Sequence, residues 1–183
     1  MSRPVVLSNG QLFVGLDSNG LVHDFYYPYV GLDNLTNARS LPHKIGVWVN
    51  GQFSWVDDGK WEINLDFEET ALISHVSMYN SQLGVRLNFE DFIDRQYNAL
   101  VRRIKVKNEF SEAREIRLFM HQVFEISRSG RADTALYVPD DHYLLDYKGR
   151  CSLLIAGKFV DGGDYDQFAV GNFSIEGKEG TYK

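Results

Sequence analysis

Three pairs of adjacent carboxylates are the residues of this 183-residue chain that come nearest to acid–base chemistry. They are Asp57-Asp58, Glu68-Glu69 and Asp140-Asp141. General acid–base cleavage of a bond needs two such groups that face each other across it. Side chains that follow one another on a strand point to opposite faces of the sheet. The sequence therefore singles out no catalytic pair, and we expect solvated turns or strand faces at these positions.

The histidines do not have the spacing of a metal site. They are His23, His43, His75, His121 and His142. Zinc sites bring cysteine and histidine ligands together in short motifs, and no cysteine accompanies these histidines. The chain also has no glycine-rich phosphate loop that opens a helix and no GxSxG nucleophile motif. We expect no catalytic residue, no metal and no cofactor in this chain.

Aromatic side chains form the most informative group. Trp48, Trp55 and Trp61 lie close together in the sequence, just after a run of tyrosines. Sugar rings present flat apolar faces that can stack on such side chains. Trp48 and Trp55 are therefore a candidate aromatic platform, whereas Trp61 belongs to a regular set of core-facing residues. Packing inside a β-sandwich is the competing interpretation of all three.

The stretch from Leu21 to Asn50 organises the chain around one long loop. It begins as a strand, breaks at Pro28 and Gly31, and returns as a strand at Ile45–Val49. Loops of this length usually have a function or are disordered, and the many aromatic residues argue against disorder. The candidate residues for docking or for contact with a sugar are Tyr26, Tyr27, Tyr29, Asp33, Asn34 and His43. The alternative is a connection between two sheets with half-buried tyrosines.

Short strands separated by tight turns account for nearly all of the chain. Asn9-Gly10 and Asn50-Gly51 are strong hairpin signals. From Trp61 to Phe67 apolar and polar residues alternate, as in a half-buried antiparallel strand. About a dozen such strands, without sustained helical spacing, predict an all-β fold with little or no helix. Two large stacked antiparallel sheets fit the length better than a small barrel.

Length, charge and cysteine content restrict the class of protein. The length predicts one domain over residues 1–183. The net charge of −6 mixes both signs along the chain, which argues against a nucleic-acid partner. No apolar run approaches a membrane span, and the first residues lack a signal-peptide core. The single Cys151 cannot form an internal disulfide. We therefore expect a cytoplasmic protein without a membrane partner.

Five segments carry a resemblance to a known family. They are LSNGQLFVGLDSNGLVHDFYYPYVGLDN, KIGVWVNGQFSWVDDGKWEI, LVRRIKVKN, REIRLFMHQVFEI and DGGDYDQFAVGNFSIEGKEGTYK. Together they resemble the N-terminal β-sandwich domain of bacterial and archaeal glycoside hydrolase family 15 proteins, which include glucoamylases, glucodextranases and some trehalases. FYYPYVG and GVWVNGQFSW are the most specific segments. The resemblance implies a super-β-sandwich of two large antiparallel sheets, similar in architecture to galactose-mutarotase-like domains.

The resemblance also implies a function for the chain. In that family the sandwich precedes an (α/α)6 barrel, which carries a pair of catalytic glutamates and inverts the anomeric configuration. This chain shows no paired amphipathic helices. The resemblance therefore implies a non-catalytic N-terminal domain of an α-glucoside hydrolase, which supports the catalytic barrel of the same polypeptide and shapes its cleft. The Tyr26–His43 loop is the predicted docking surface. The domain is expected to be truncated after Lys183 and inactive alone.

Two other functions stay open, together with an expectation about assembly. A carbohydrate-binding module would hold an α-glucan or another α-glucoside by aromatic stacking. An independent enzyme would be a sugar epimerase of the mutarotase kind, which only fold analogy supports. A truncated sheet exposes a strand edge, and exposed edges tend to pair. We therefore also expect a homodimer formed through such an edge.

Overall fold

A computed structural model of the protein describes residues 4–36, 42–128 and 133–171. Those residues form thirteen strands, all paired antiparallel, and one 3-10 turn at Ile126–Arg128. This confirms the all-β prediction. The chain divides into two compact units, Met1–Ser127 and Arg128–Lys183. The single domain over residues 1–183 and its truncation after Lys183 stay predictions.

The first sheet of unit 1 consists of β1 (Val5–Ser8), β2 (Phe13–Leu16) and β3 (Val22–Tyr26), in that order. The turn between β1 and β2 follows from its sequence. The side-chain oxygen of Asn9 accepts hydrogen bonds from the backbone N–H groups of Gln11 and Leu12. Such local bonds are the reason that asparagine favours turns.

The second sheet is built around a hairpin. Its strands are β4 (Lys44–Val49), β5 (Gln52–Trp55) and β10 (Ile116–His121), and they lie in the order β10-β4-β5. Asn50 and Gly51, which connect β4 to β5, both have positive φ, at 49° and 82°. Two positive φ angles define the type I′ turn that Asn-Gly favours, so the hairpin forms where the sequence predicts it.

The third sheet contains the longest strands. They are β6 (Glu62–Phe67), β7 (Ser74–Asn80), β8 (Val85–Ile93) and β9 (Leu100–Asn108), paired in sequence order. Along β7 and β8 every second side chain is buried, as the alternating sequence requires. The outward-facing side chains of this sheet are mostly polar or charged.

One apolar core joins the three sheets of unit 1. Its members come from β1 to β3, from β4 and from β7 and β8. The most deeply buried large side chains include Leu7, Leu16, Ile45, Val47, Met78, Leu87 and Phe89. Trp61 is also part of this core, which confirms its assignment as a packing residue. The third sheet therefore packs against the other two as in a β-sandwich.

Unit 2 is a smaller antiparallel sheet. It consists of β11 (Thr134–Val138), β12 (Tyr143–Lys148) and β13 (Cys151–Ile155), paired in sequence order. Tyr137 stacks on Phe168 with ring centroids 3.9 Å apart. Burial raises the pKa of the Cys151 thiol, which disfavours the reactive thiolate. Within the residues that the structure describes, no helix is long and apolar enough to cross a membrane.

Candidate functional site

A buried hydrogen-bond network holds the beginning of the long loop against β3. The side-chain NH₂ of Asn34 donates to the Asp24 carboxylate at 2.9 Å, and Asp24 is only 1% exposed. The side-chain oxygen of Asn34 accepts bonds from the backbone N–H groups of Phe25 and Thr36. The Thr36 hydroxyl donates to the His23 carbonyl oxygen at 2.7 Å. This network fixes both ends of the segment between residues 26 and 33.

The tip of that segment exposes a group of apolar and aromatic side chains. They are Tyr27, Tyr29, Val30 and Leu32, each between 42% and 59% exposed, and they are called the loop-tip patch below. A backbone bridge joins Val30 to Leu32. The Tyr27 hydroxyl lies 3.5 Å from the side-chain amide of Asn98, in the β8–β9 turn. An anchored loop therefore presents apolar surface outward.

The six predicted loop residues divide between surface and interior. Tyr27, Tyr29 and Asp33 are exposed. Tyr26 is half-buried at the end of β3 and packs edge-to-face on Phe13. Asn34 and His43 are buried. A direct contact role therefore suits the three exposed residues, whereas the two buried ones position the loop. Docking and sugar contact by these residues stay predictions. Residues 37–41 of the same loop lie outside the described residues.

His43 is held in its neutral form by its surroundings. Its Nε2–H donates to the backbone oxygen of Val123 at 2.9 Å, and its ring packs edge-to-face on Phe124. Burial lowers the pKa of His43 from 6.5 to about 4. The imidazole is thus a structural group that connects the end of the loop to the segment after β10.

The candidate platform residues lie on the face of the second sheet that points away from the core. Trp48 and Trp55 share this face with Phe53, Phe119 and His121, and Gly46 lies between them. The Arg117 guanidinium lies 4.8 Å from the Trp48 ring centre, and the Lys44 ammonium lies 5.5 Å from that of Trp55. These cations cover the tryptophan rings. The more exposed rings are Phe53 and Phe119, at 42% and 41%. The platform of Trp48 and Trp55 stays a prediction.

The paired carboxylates have separate partners. Asp57 lies 3.6 Å from the Lys44 ammonium, while Asp58 accepts a 2.6 Å hydrogen bond from the Ser54 hydroxyl. Glu68 pairs with His75 at 2.9 Å. Asp140 and Asp141 are exposed in a turn of unit 2. Among the residues that the structure describes, no three His, Cys, Asp or Glu side chains cluster as metal ligands.

Sequence reasoning missed a polar concavity at one end of the sandwich. Its volume is about 270 Å³, and its lining residues are Gln52, Phe53, Ser54, Lys60, Asn80, Gln82 and Leu83. They come from β5, from the β5–β6 turn, from the end of β7 and from the β7–β8 turn. Their separation in sequence is the reason that no local pattern pointed to this site. One local signal was the polar turn between β7 and β8, which contributes Gln82 and Leu83 to the lining.

Comparisons with known proteins place the chain near glycoside hydrolases. An uncharacterized glycosyl hydrolase of Methanocaldococcus jannaschii is 23% identical over 147 residues, which are 79% of this chain. The crystal structure of a bacterial glucoamylase complexed with acarbose superposes with a TM-score of 0.65 over 80% of this chain, at 13% identity. No protein-family model matches the sequence. Both matches fit the resemblance to the N-terminal domain of family 15 proteins.

The extent of the matches limits what they show. The chain spans 22% of the archaeal relative and 22% of the glucoamylase chain. The structural match shows a shared fold, and the sequence match supports a glycoside-hydrolase-related domain. Most of the length of each relative lies outside the match.

Proposed function

We propose that the chain is a non-catalytic domain of a glucoamylase-like glycoside hydrolase, which docks on the catalytic (α/α)6 barrel of the same polypeptide and shapes its cleft. The loop-tip patch is the observation that carries this proposal. Exposed apolar side chains that stand together on a surface mark interaction sites. Tyrosine is also enriched where interfaces are energetically important.

The anchoring of the loop supports a docking role rather than a chance exposure of apolar residues. Asn34 and Asp24 fix the base of the loop inside the protein, so little conformational entropy is lost when the tip is covered. The length of the relatives indicates which partner would cover the loop-tip patch. Both glycoside hydrolases contain a much longer chain than the matched part, and the barrel expected from the resemblance is a partner within the same polypeptide.

The test uses the longer polypeptide that contains this chain and its barrel. The variant carries both Tyr29→Ser and Val30→Ser. Both residues are 59% exposed, so this variant should leave the stability of the isolated chain unchanged. In the longer polypeptide we expect a lower melting temperature and a higher KM for an α-glucoside. The control is Leu72→Ser, which removes an equally exposed apolar side chain from the β6–β7 turn. Unchanged activity and melting temperature in the double variant would exclude docking through this patch.

A further inference from the structure

We propose that the polar concavity at the end of the sandwich is a binding site for a neutral oligosaccharide, separate from the loop-tip patch. The site lies wholly in unit 1, where the β4–β5 hairpin approaches the β7–β8 turn. The proposal rests on the proposed function only for the choice of glucans as probes, because the recognition itself is argued from the side chains of the concavity.

Two side-chain amides at the mouth of the concavity lack protein partners. Gln52 and Gln82 are exposed, and within the described part of the chain neither side chain makes a hydrogen bond. A carboxamide offers a donor and an acceptor side by side. Adjacent sugar hydroxyls offer the complementary arrangement, because each hydroxyl both donates and accepts. The two amides therefore match a polyhydroxyl ligand.

The floor of the concavity is fixed by a buried network centred on Ser54. The Ser54 hydroxyl donates to Asp58 at 2.6 Å and accepts from the Trp61 indole N–H at 3.0 Å. The side-chain NH₂ of Asn80 lies 3.3 Å from the same hydroxyl, and its oxygen accepts from the Leu83 backbone N–H. Each of these groups is held by another one. The floor of the site is therefore preorganised, which reduces the cost of ordering that part of it on binding.

The one charged side chain that lines the first concavity is offset by a neighbouring charge. The Lys60 ammonium lies 3.8 Å from the Asp58 carboxylate, so the cation and the anion beside the concavity offset each other. Little net charge is therefore left beside this concavity, which suits a neutral ligand.

A second concavity continues the first and indicates a ligand of more than one unit. It has a volume of about 210 Å³ and shares Gln52, Gln82 and Leu83 with the first. Its far wall is Arg114, which donates to the carbonyl oxygens of Leu83 and Gly84 and covers the Phe110 ring. Two neighbouring concavities that share lining residues suit consecutive sugar units better than a free monosaccharide.

The test is a titration of the whole chain with maltotetraose, isomaltotetraose and cellotetraose by calorimetry and by NMR. We expect at least one of them to bind with a millimolar dissociation constant, and to shift the side-chain amide signals of Gln52 and Gln82. Combining Gln52→Ala with Gln82→Ala should weaken this binding by about tenfold or more, since it removes two hydrogen-bonding groups. The exposed Gln96→Ala is the matched control and should bind like the parent chain.

The outcomes separate this inference from the proposed function. No binding of any of the three sugars would overturn the inference, and so would binding that the double variant leaves unchanged. Both results are measured on this chain alone. The docking proposal is decided by the activity and melting temperature of the longer polypeptide, so either proposal can fail while the other stands.

Discussion

Asn34 and Asp24 are joined by a 2.9 Å hydrogen bond inside the protein, although ten positions separate them in the chain. The bond connects the end of the exposed loop tip to the middle of β3. Gly15 on the neighbouring strand leaves room for this contact, because a Cβ atom there would lie 2.9 Å from the Asp24 carboxylate. The position of the exposed loop tip thus depends on a polar group that is buried.

The first prediction concerns Asn34→Ala. This change removes the acceptor of the Phe25 and Thr36 N–H groups and one donor to buried Asp24. Because unsatisfied buried polar groups are costly, we expect a loss of about 3 kcal/mol in the free energy of unfolding, measured in urea. Asn64→Ala, at an exposed asparagine of β6, should cost less than about 1 kcal/mol. Similar losses in the two variants would contradict the anchoring role.

The strands could be predicted from the sequence because apolar residues recur at every second position, which is the period of a β-strand. In β7 and β8 the side chains that point to the core alternate with side chains that point outward. The two Asn-Gly turns also form where the sequence predicts them. Asp91 breaks that alternation in the sequence, and only the structure gives the reason. Its carboxylate is buried against Arg102 on the neighbouring strand, and which strands become neighbours is set by tertiary packing.

The site was less predictable than the fold. The sequence drew attention to the tyrosines of the long loop, and the structure exposes Tyr27 and Tyr29. It could not show that Asn34 faces inward, since asparagine is most often a surface residue. The polar concavity depends on Gln52 and Gln82, which are thirty positions apart and look like ordinary surface residues in the sequence. Predicting that these two residues lie close together requires knowing how the strands pair and how the sheets pack.

The second prediction concerns Gly46→Ala on the aromatic face of the second sheet. A Cβ atom at this position would lie 2.5 Å from the Phe53 ring and 2.8 Å from the Trp55 ring. Overpacking of this kind typically costs about 1–3 kcal/mol, and we expect that loss together with a shift in tryptophan emission. Adding Phe53→Ala should recover part of the stability, because it removes the closest clash. If the effects of the two changes on the free energy of unfolding were additive, the Phe53 ring would not pack against Gly46.

The third prediction concerns the ion pair between Asp91 and Arg102. Arg102 donates to both carboxylate oxygens, at 2.9 and 3.0 Å, and Asp91 is fully buried. Arg102→Met should cost about 3–5 kcal/mol, because it leaves a buried carboxylate unpaired. Combining it with Asp91→Leu should be less destabilising than Arg102→Met alone. A double-mutant cycle in urea measures this coupling, and a double variant as unstable as the sum of the single ones would argue against it.

The fourth prediction concerns the pH dependence of stability and follows from His43. Its pKa of about 4 in the folded protein lies below the ordinary value of 6.5. Between these two pH values the unfolded chain binds a proton at this position and the folded chain does not. Stability from this group is therefore complete above about pH 6.5 and is lost as the pH falls towards 4. The difference amounts to about 3 kcal/mol.

His43→Phe isolates this contribution, because phenylalanine fills a similar space and does not titrate. The variant loses the hydrogen bond to the Val123 carbonyl at every pH, which lowers its stability by a constant amount. The part of the slope between pH 6.5 and 4 that His43 causes should disappear, and urea unfolding at several pH values measures it. NMR titration of the His43 ring in the parent chain gives the pKa directly. An equal slope in both proteins would mean that groups other than His43 cause the acid sensitivity, and that the loop is not held by a neutral imidazole.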